Sequence, residues 1–369
     1  MRIGFVSVLD QNLVLFRLEL MKALILEGHE VFAITPEGKA ANILLENKIT
    51  PLIWPMERFS LSPIKLMRSI NILADIIKAN RLDTVHAFML KPCLLTNLAC
   101  LLIKNVRVLN TLTGLGIIYT ESTFKYELSR YLFELFGRLI FLRANAVIFQ
   151  NKEDLEILLA KGVVSQKKAS VIRGSGIDCS YWQNDKLVNN KDKILVLMAA
   201  RAIKQKGFEE YFAAAETLNK EFPPVEFWLA CFPEKHHPFA LSDQLFKSKK
   251  GIKYLGYVQN MKELLRDCDI FVYPSYYREG IPRALLEACS MGKALVSTDQ
   301  VGCREVVTNG LNGFTVKPKD SVGLVKALRN LITNPAQREQ FGVESRKIAL
   351  EYFDTKKINS QYLELYNKN

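Results

Sequence analysis

The sequence predicts an α/β protein with two similar domains in tandem, each built on a parallel sheet. Three observations lead there. Short apolar runs alternate with helix-like stretches along the chain, the pattern of parallel strands joined by crossover helices. A polar stretch rich in Asn, Asp and Lys, DCSYWQNDKLVNNKDK (178–193), separates two such series and reads as a linker. The length, 369 residues, exceeds one typical core, so two domains are the natural expectation.

The first series opens with the strand RIGFVSV (2–8). A loop, SVLDQN, leads to the helical run LVLFRLELMKALILEG, which ends at Gly28. EVFAIT (30–35), an amphipathic stretch around 63–80, DTVHAF (83–88), VRVLNTL (106–112) and AVIFQN (146–151) follow. Past the linker the alternation restarts with ILVLMAA (194–200), VEFWLAC (225–231), IKYLGYV (252–258), DIFVYPS (269–275) and ALVSTD (294–299). The expected domains are residues 1–177 and 178–350, with 351–369 a C-terminal helix crossing back to the first domain. Two Rossmann-like halves create a cleft, a usual place for a ligand. No GxGxxG follows the first strand and no GxxxxGK[ST] occurs, which argues against classical dinucleotide and P-loop sites.

The bulk numbers narrow the class. Hydrophobic residues make up 49% of the chain, ample for two cores, yet no run approaches the roughly 18–20 apolar residues of a membrane span. The start, MRIGFVSVLD, reads as a strand and not as a signal peptide, so the expected location is the cytoplasm. Seven scattered cysteines without a CxxC pair argue against disulfides and structural zinc. The net charge is +12, and residues 58–143 hold 12 Lys/Arg against 5 Asp/Glu. Apolar stretches such as LFELFGRLIFLR (132–143) interleave with these charges. A basic and apolar face suits an anionic membrane surface; nucleic acid would call for a purely polar one.

The segment EGIPRALLE (279–287) carries chemistry. Pro282 fits the first position of a helix running through ALLEACS and stopping at Gly292. Gly280 lets backbone approach a ligand, and the free N–H groups of the helix start suit a phosphate. Glu279 before the helix and Glu287 within it are carboxylates able to hold hydroxyls at either side of that phosphate. A nucleotide diphosphate sugar has this pattern of groups. A second element, RAIKQKGF, places Arg201 and Lys206 beyond the strand ILVLMAA, where two exposed cations can neutralise a diphosphate. A third, VGCRE (301–305), is read as a loop and helix start with Gly302. All three lie past carboxyl ends of strands in one domain.

R-x4-K, E-G-x-P with a second Glu at +8, and a G-x-x-E loop resemble the family-4 retaining glycosyltransferases of the GT-B fold, over essentially the whole chain. KPCLLTNLA (91–99), NTLTGLG (110–116), REGIPRALLEA (278–288) and GCREVV (302–307) are similar to a bacterial subgroup that extends undecaprenyl-diphosphate-linked saccharides. The resemblance implies two Rossmann-like domains facing across a cleft. It also implies transfer of a sugar, N-acetylgalactosamine or another N-acetylhexosamine, from a UDP-sugar to a lipid-diphosphate-linked saccharide at the inner face of the cell membrane. It assigns Arg201 and Lys206 to the donor diphosphate, Glu279 to the donor sugar beside the reacting carbon and Glu287 to the ribose. Gly280, Ile281, Pro282 and Gly302 would line the donor, and Tyr257 and Val258 the base. On the acceptor side it implies Asn12, Arg17, His86, Lys91, Thr113 and Gly114. The chain departs from the family where many relatives carry glycines after the first strand, since it has Asp10, Gln11 and Asn12 there.

With retained configuration, the donor's own phosphate can accept the acceptor proton, so neither an enzymatic base nor a metal nor a cofactor is expected. Asp267-Cys268-Asp269 resembles a cation-binding DxD, but at the entry of strand DIFVYPS it reads as structural. His236 and His237 are expected to be exposed and His29 to sit at a helix end; His86, at the end of strand DTVHAF, is within reach of the cleft. The competing readings are a capsule, O-antigen or exopolysaccharide transferase with another donor, a GT-B sugar-nucleotide epimerase, and a binding protein without turnover.

Overall fold

A computed structural model describes residues 1–60, 62–184, 193–234 and 237–367. Residues 185–192 of the expected linker, and His236, lie outside the described residues. The chain forms two compact units, Met1–Gly176 with Thr355–Asn369, and Ile177–Asp354.

The first unit holds a seven-stranded sheet: β1 (Arg2–Val6), β2 (Glu30–Thr35), β3 (Thr50–Ile53), β4 (Thr84–Phe88), β5 (Arg107–Leu112), β6 (Ala146–Phe149) and β7 (Ala169–Val171). All neighbours are parallel, in the order β3-β2-β1-β4-β5-β6-β7. Its helices are α1 (Asp10–Leu26), α2 (Ala41–Glu46), α3 (Pro63–Ala79), α4 (Leu90–Ala99), α5 (Ile117–Thr120), α6 (Phe124–Phe141) and α7 (Lys152–Ala160). Strands covered on both faces must be apolar on both, which is why they read as unbroken apolar runs. Val6, Val85 and Ala87 face α3, α4 and α6, whereas Ile3, Phe5 and Phe88 face α1.

The second unit repeats the scheme with β8 (Ile194–Arg201), β9 (Val225–Phe232), β10 (Ile252–Gly256), β11 (Ile270–Tyr273), β12 (Ala294–Thr298) and β13 (Gly313–Val316). The order is β10-β9-β8-β11-β12-β13, again parallel throughout. Around it lie α8 (Phe208–Glu221), α9 (Asp243–Lys247), α10 (Met261–Asp267), α11 (Arg283–Ser290), α12 (Ser321–Thr333) and α13 (Pro335–Ile348). A π-helical turn, Ala349–Phe353, ends this unit, and α14 (Thr355–Asn367) belongs to the first unit. There Ile358, Tyr362 and Tyr366 join the core beside α1.

Each sheet reverses its winding once, between β1 and β4 and between β8 and β11. At such switch points the connecting loops diverge and leave a crevice at the carboxyl ends of the strands. Three local readings are corrected here. Asp10, Gln11 and Asn12 form the first turn of α1, not a loop. Asp10 is buried, and its carboxylate accepts from the backbone N–H of Gln11 (2.7 Å) and of Ala40 (2.5 Å), pinning the loop after β2. Pro282 is the extended N-cap of α11, one position earlier than expected. VGCRE is a turn without a following helix.

Candidate active site

The second unit's switch point brings together three of the residues expected on the donor side, Arg201, Lys206 and Glu279. Arg201 is the last residue of β8. A 3-10 turn, Lys204–Lys206, follows and ends at Gly207, whose φ is +80°. A Cβ at Gly207 would run into the Pro274 carbonyl, so glycine lets the β8 loop lie directly on the β11 loop. That contact carries Lys206 inward. It is only 1% exposed, and the expectation of an exposed lysine is corrected. Its Nζ donates to Tyr273 Oη (2.6 Å) and to Glu279 Oε1 (2.6 Å), while Tyr273 Oη donates to the same carboxylate oxygen (3.0 Å). Ser275 Oγ is a further donor at 3.3 Å. Burial pushes the Lys206 ammonium below its ordinary pKa, and the Glu279 charge opposes that shift.

Glu279 Oε2 has no partner among the described residues, and the side chain keeps 18% exposure. One oxygen is thus anchored and the other is available to a hydroxyl. The backbone beneath it is fixed by Gly302, φ +85°, where a Cβ would overlap the carbonyls of Gly280 and Glu279. The VGCRE turn therefore supports Glu279 from behind. Cys303 in that turn is a buried thiol pushed up to about 12 by burial, then by Glu279, which leaves it unreactive.

Arg201 stays partly exposed, with Nη1 3.2 Å from Glu234 Oε2 and its guanidinium 5.8 Å from the Tyr277 ring centre. Glu287, on α11, pairs with Arg283 Nε at 2.9 Å, and burial raises its carboxyl against the lowering effect of Arg283. Gly280 and Pro282 are buried, and Ile281 packs on the core beneath α11. Tyr257 stands exposed past β10, its ring edge-on to Phe232, and Val258 packs inward. Tyr273, Ser275, Tyr277 and Glu234 contact these candidate residues, and the motifs did not reveal them. A tyrosine closing a buried apolar strand, as in IFVYPS, was the available signal for Tyr273.

Asp269 is structural: its Oδ2 accepts from Leu195 N–H (2.7 Å) at the amino end of the sheet, away from Lys206 and Glu279. Among the described residues no three His, Cys, Asp or Glu side chains are grouped to hold a metal ion.

In the first unit the acceptor-side residues separate. Asn12 Nδ2 reaches Met89 Sδ (3.6 Å) across the β1–β4 switch point. Met89, the N-cap of α4, has φ +74°, a strained conformation of the kind that collects at binding sites. Thr113 is half-buried, and Gly114 follows with φ +102°. Lys91 does not extend to the open side, because its three N–H groups bind the carbonyls of Glu57 (2.5 Å), Arg58 (3.3 Å) and Ser60 (2.6 Å). His86 does not either. It is fully buried, Nδ1 lies 2.5 Å from Tyr366 Oη and Nε2 2.7 Å from Thr111 Oγ1. Burial, then the Arg17 charge, holds its pKa well below the usual value. Arg17 is 3% exposed, stacked between Phe88 (4.5 Å) and Tyr362 (5.1 Å), and has no acidic partner among the described residues. His237 is buried rather than exposed, packed near Phe239 and Tyr277. His29 caps the turn after α1, with Nδ1 3.2 Å from the Met1 amino group.

Residues 183–348 match the family model for glycosyl transferases group 1, and residues 3–151 that for glycosyl transferase 4-like proteins. The N,N'-diacetylbacillosaminyl-diphospho-undecaprenol alpha-1,3-N-acetylgalactosaminyltransferase of Campylobacter jejuni is 30% identical over 100% of this chain and 99% of its own length. The chain is a family-4 glycosyltransferase. An Escherichia coli UDP-Gal:alpha-D-GlcNAc-diphosphoundecaprenol alpha-1,3-galactosyltransferase is 26% identical, over 82% of this transferase and 80% of its own length. Among solved structures, Anabaena HepE in complex with UDP and glucose superposes with a TM-score of 0.78 at 17% identity, covering 100% of both chains. A Rickettsia africae glycosyltransferase gives 0.79 at 20% identity, over 99% of this transferase and 97% of that chain. The transferase has the GT-B fold and is related to enzymes acting on undecaprenyl-diphosphate-linked saccharides.

Proposed function

We propose that this transferase moves an N-acetylhexosamine, N-acetylgalactosamine first among them, from a UDP-sugar to an undecaprenyl-diphosphate-linked saccharide, with retention at the anomeric carbon. The observation that carries the donor side is the buried Lys206–Glu279–Tyr273 cluster at the β8–β11 switch point. Lys206 and Arg201 are the cations for the donor diphosphate, and Glu279 Oε2 is the acceptor for a donor-sugar hydroxyl. Glu287 takes the ribose, and Tyr257 and Val258 flank the base. In a front-face displacement the bond from the anomeric carbon to the β-phosphate oxygen breaks as the acceptor oxygen bonds to that carbon. The acceptor proton passes to the departing phosphate oxygen, giving UDP. Negative charge grows on that oxygen, where fixed cations lower the barrier. These cations serve without a metal in this reading.

The acceptor assignment rests on the two relatives that act on undecaprenyl-diphosphate-linked sugars and on the first unit's switch point. Asn12, Thr113 and Gly114 are its lining. Arg17, a buried cation without an acidic partner, is the group there suited to an acceptor phosphate. A lipid-linked acceptor is confined to a bilayer, so the transferase works at the cytoplasmic face of a membrane, and no helix among the described residues is long and apolar enough to cross one. The test is UDP release from a panel of UDP-sugars, with and without an undecaprenyl-diphosphate-linked saccharide. Acceptor-dependent release is expected from a UDP-N-acetylhexosamine. Release from other UDP-hexoses alone would replace the donor, and no release from any would remove the reading.

A further inference from the structure

α6 is apolar on two opposite faces. Phe133, Gly137 and Phe141 are buried against the rest of the first unit. On the far side Phe124 (79% exposed), Leu128, Tyr131, Leu135, Leu139 (64%) and Leu142 face solvent. At about 100° per residue these six positions fall within an arc of about 80°, roughly opposite the buried face. A helix apolar all round is normally enclosed, and an exposed stripe of this kind marks an interaction surface. Leu101 and Leu102 (92% exposed) join it at the C-terminal end, where Arg143 donates to the carbonyls of Cys100, Ile103 and Val106.

The rim of this stripe is net basic. Lys125 and Arg138 are exposed along α6 against one exposed carboxylate there, Glu127, and Lys168 Nζ donates to the Leu142 carbonyl (2.7 Å). The Glu134 carboxylate is engaged by Lys161 (3.3 Å) and Tyr119 Oη (2.9 Å). Large apolar side chains flanked by cations match the boundary between the head groups and acyl chains of an anionic bilayer. A second protein would be matched by a charge-balanced rim. We propose that α6 lies in the plane of an anionic membrane with this stripe immersed, and the inference rests on the lipid-linked acceptor proposed above. α6 is tied to the acceptor loop: the Tyr119 ring stands edge-on to Phe133 (6.4 Å) just past Thr113 and Gly114. Docking α6 therefore positions that loop for a head group at the surface. Arg143 is half-buried and committed to three backbone carbonyls, so the apolar stripe supplies most of the contact and Lys125 and Arg138 contribute its charge.

The test uses the full chain, flotation on vesicles of 30% phosphatidylglycerol in phosphatidylcholine, and no donor or acceptor. Wild type is expected to float at 0.1 M salt and to retain part of its binding at 0.5 M, since salt screens charge but not apolar burial. Leu128→Ser, Leu135→Ser and Leu139→Ser combined should weaken association on the order of tenfold or more, with an unchanged melting temperature. The same triple variant should lose transfer to a vesicle-embedded acceptor while keeping transfer to a short-chain, water-soluble one. Wild type that does not float, or a variant that floats equally well, overturns the proposal. So does a wild-type dimer that the triple substitution dissociates without any change in lipid binding. Failure of wild type to glycosylate either acceptor, with flotation intact, would count against the acceptor reading and not against the docking face.

Discussion

Replacing Lys206 by Met separates the stability of the site from its chemistry. The ammonium is 1% exposed and 2.6 Å from a Glu279 oxygen. Removing one partner of a fully buried pair costs about 3–5 kcal/mol. Glu279 keeps some solvent and two hydroxyl donors, Tyr273 and Ser275, which brings the expectation to about 2–3 kcal/mol. For a unit of this size each kcal/mol moves Tm by about 2–4 °C, so Lys206→Met should melt about 4–12 °C lower by calorimetry. Lys206→Met with Glu279→Gln removes the orphaned charge and should recover most of that loss. Transfer behaves differently. Losing a fixed cation at the leaving group should lower kcat on the order of 10²–10³-fold, and the double variant should recover none of it. A Lys206→Met protein with wild-type Tm and wild-type turnover would refute the buried-pair reasoning. A double variant no more stable than the single one would refute the pairing itself.

Glu287→Gln should raise KM for the UDP-sugar about tenfold, as for loss of a charge-assisted hydrogen bond, with little change in kcat; lowered kcat at unchanged donor affinity would remove the ribose role. Activity should persist in excess EDTA, and its loss, restored by a divalent cation, would show that Arg201 and Lys206 are not the sole cations on the diphosphate. Buried His86 is held neutral in the fold but takes up a proton near pH 6.5 once unfolded. Its folded pKa is depressed, so its contribution is complete above about pH 6.5 and is lost as pH falls from there towards the folded value. Wild type should therefore lose stability more steeply between pH 6.5 and 5 than His86→Phe, by up to about 1.4 kcal/mol per pH unit; equal slopes in denaturant titrations would refute this.

Much of this protein was legible in its sequence because the deciding signals are local. A parallel strand covered on both faces needs consecutive apolar side chains, and the runs at 30–35, 194–200 and 270–273 show them. TPLI of β3, ASV of β7 and GFTV of β13 gave no such signal: all three are sheet edges, short and half-covered. Arg201, Lys206, Glu279 and Glu287 stood out as candidates because strand ends and a helix start hold them at set spacings. Only the tertiary structure decided what those side chains meet. R-x4-K reads the same whether its lysine is in water or beneath a loop, and Lys206 is inside because Gly207 lies on Pro274 and Glu279 arrives from 73 residues away. His86 was assigned to the open side, but its partner Tyr366 lies 280 residues downstream on a helix of another segment. Likewise α6 is apolar on two opposite faces, and only packing against the first unit determined which face is left facing out. Burial and pairing are properties of contacts between distant segments, and local spacing carries no information about them.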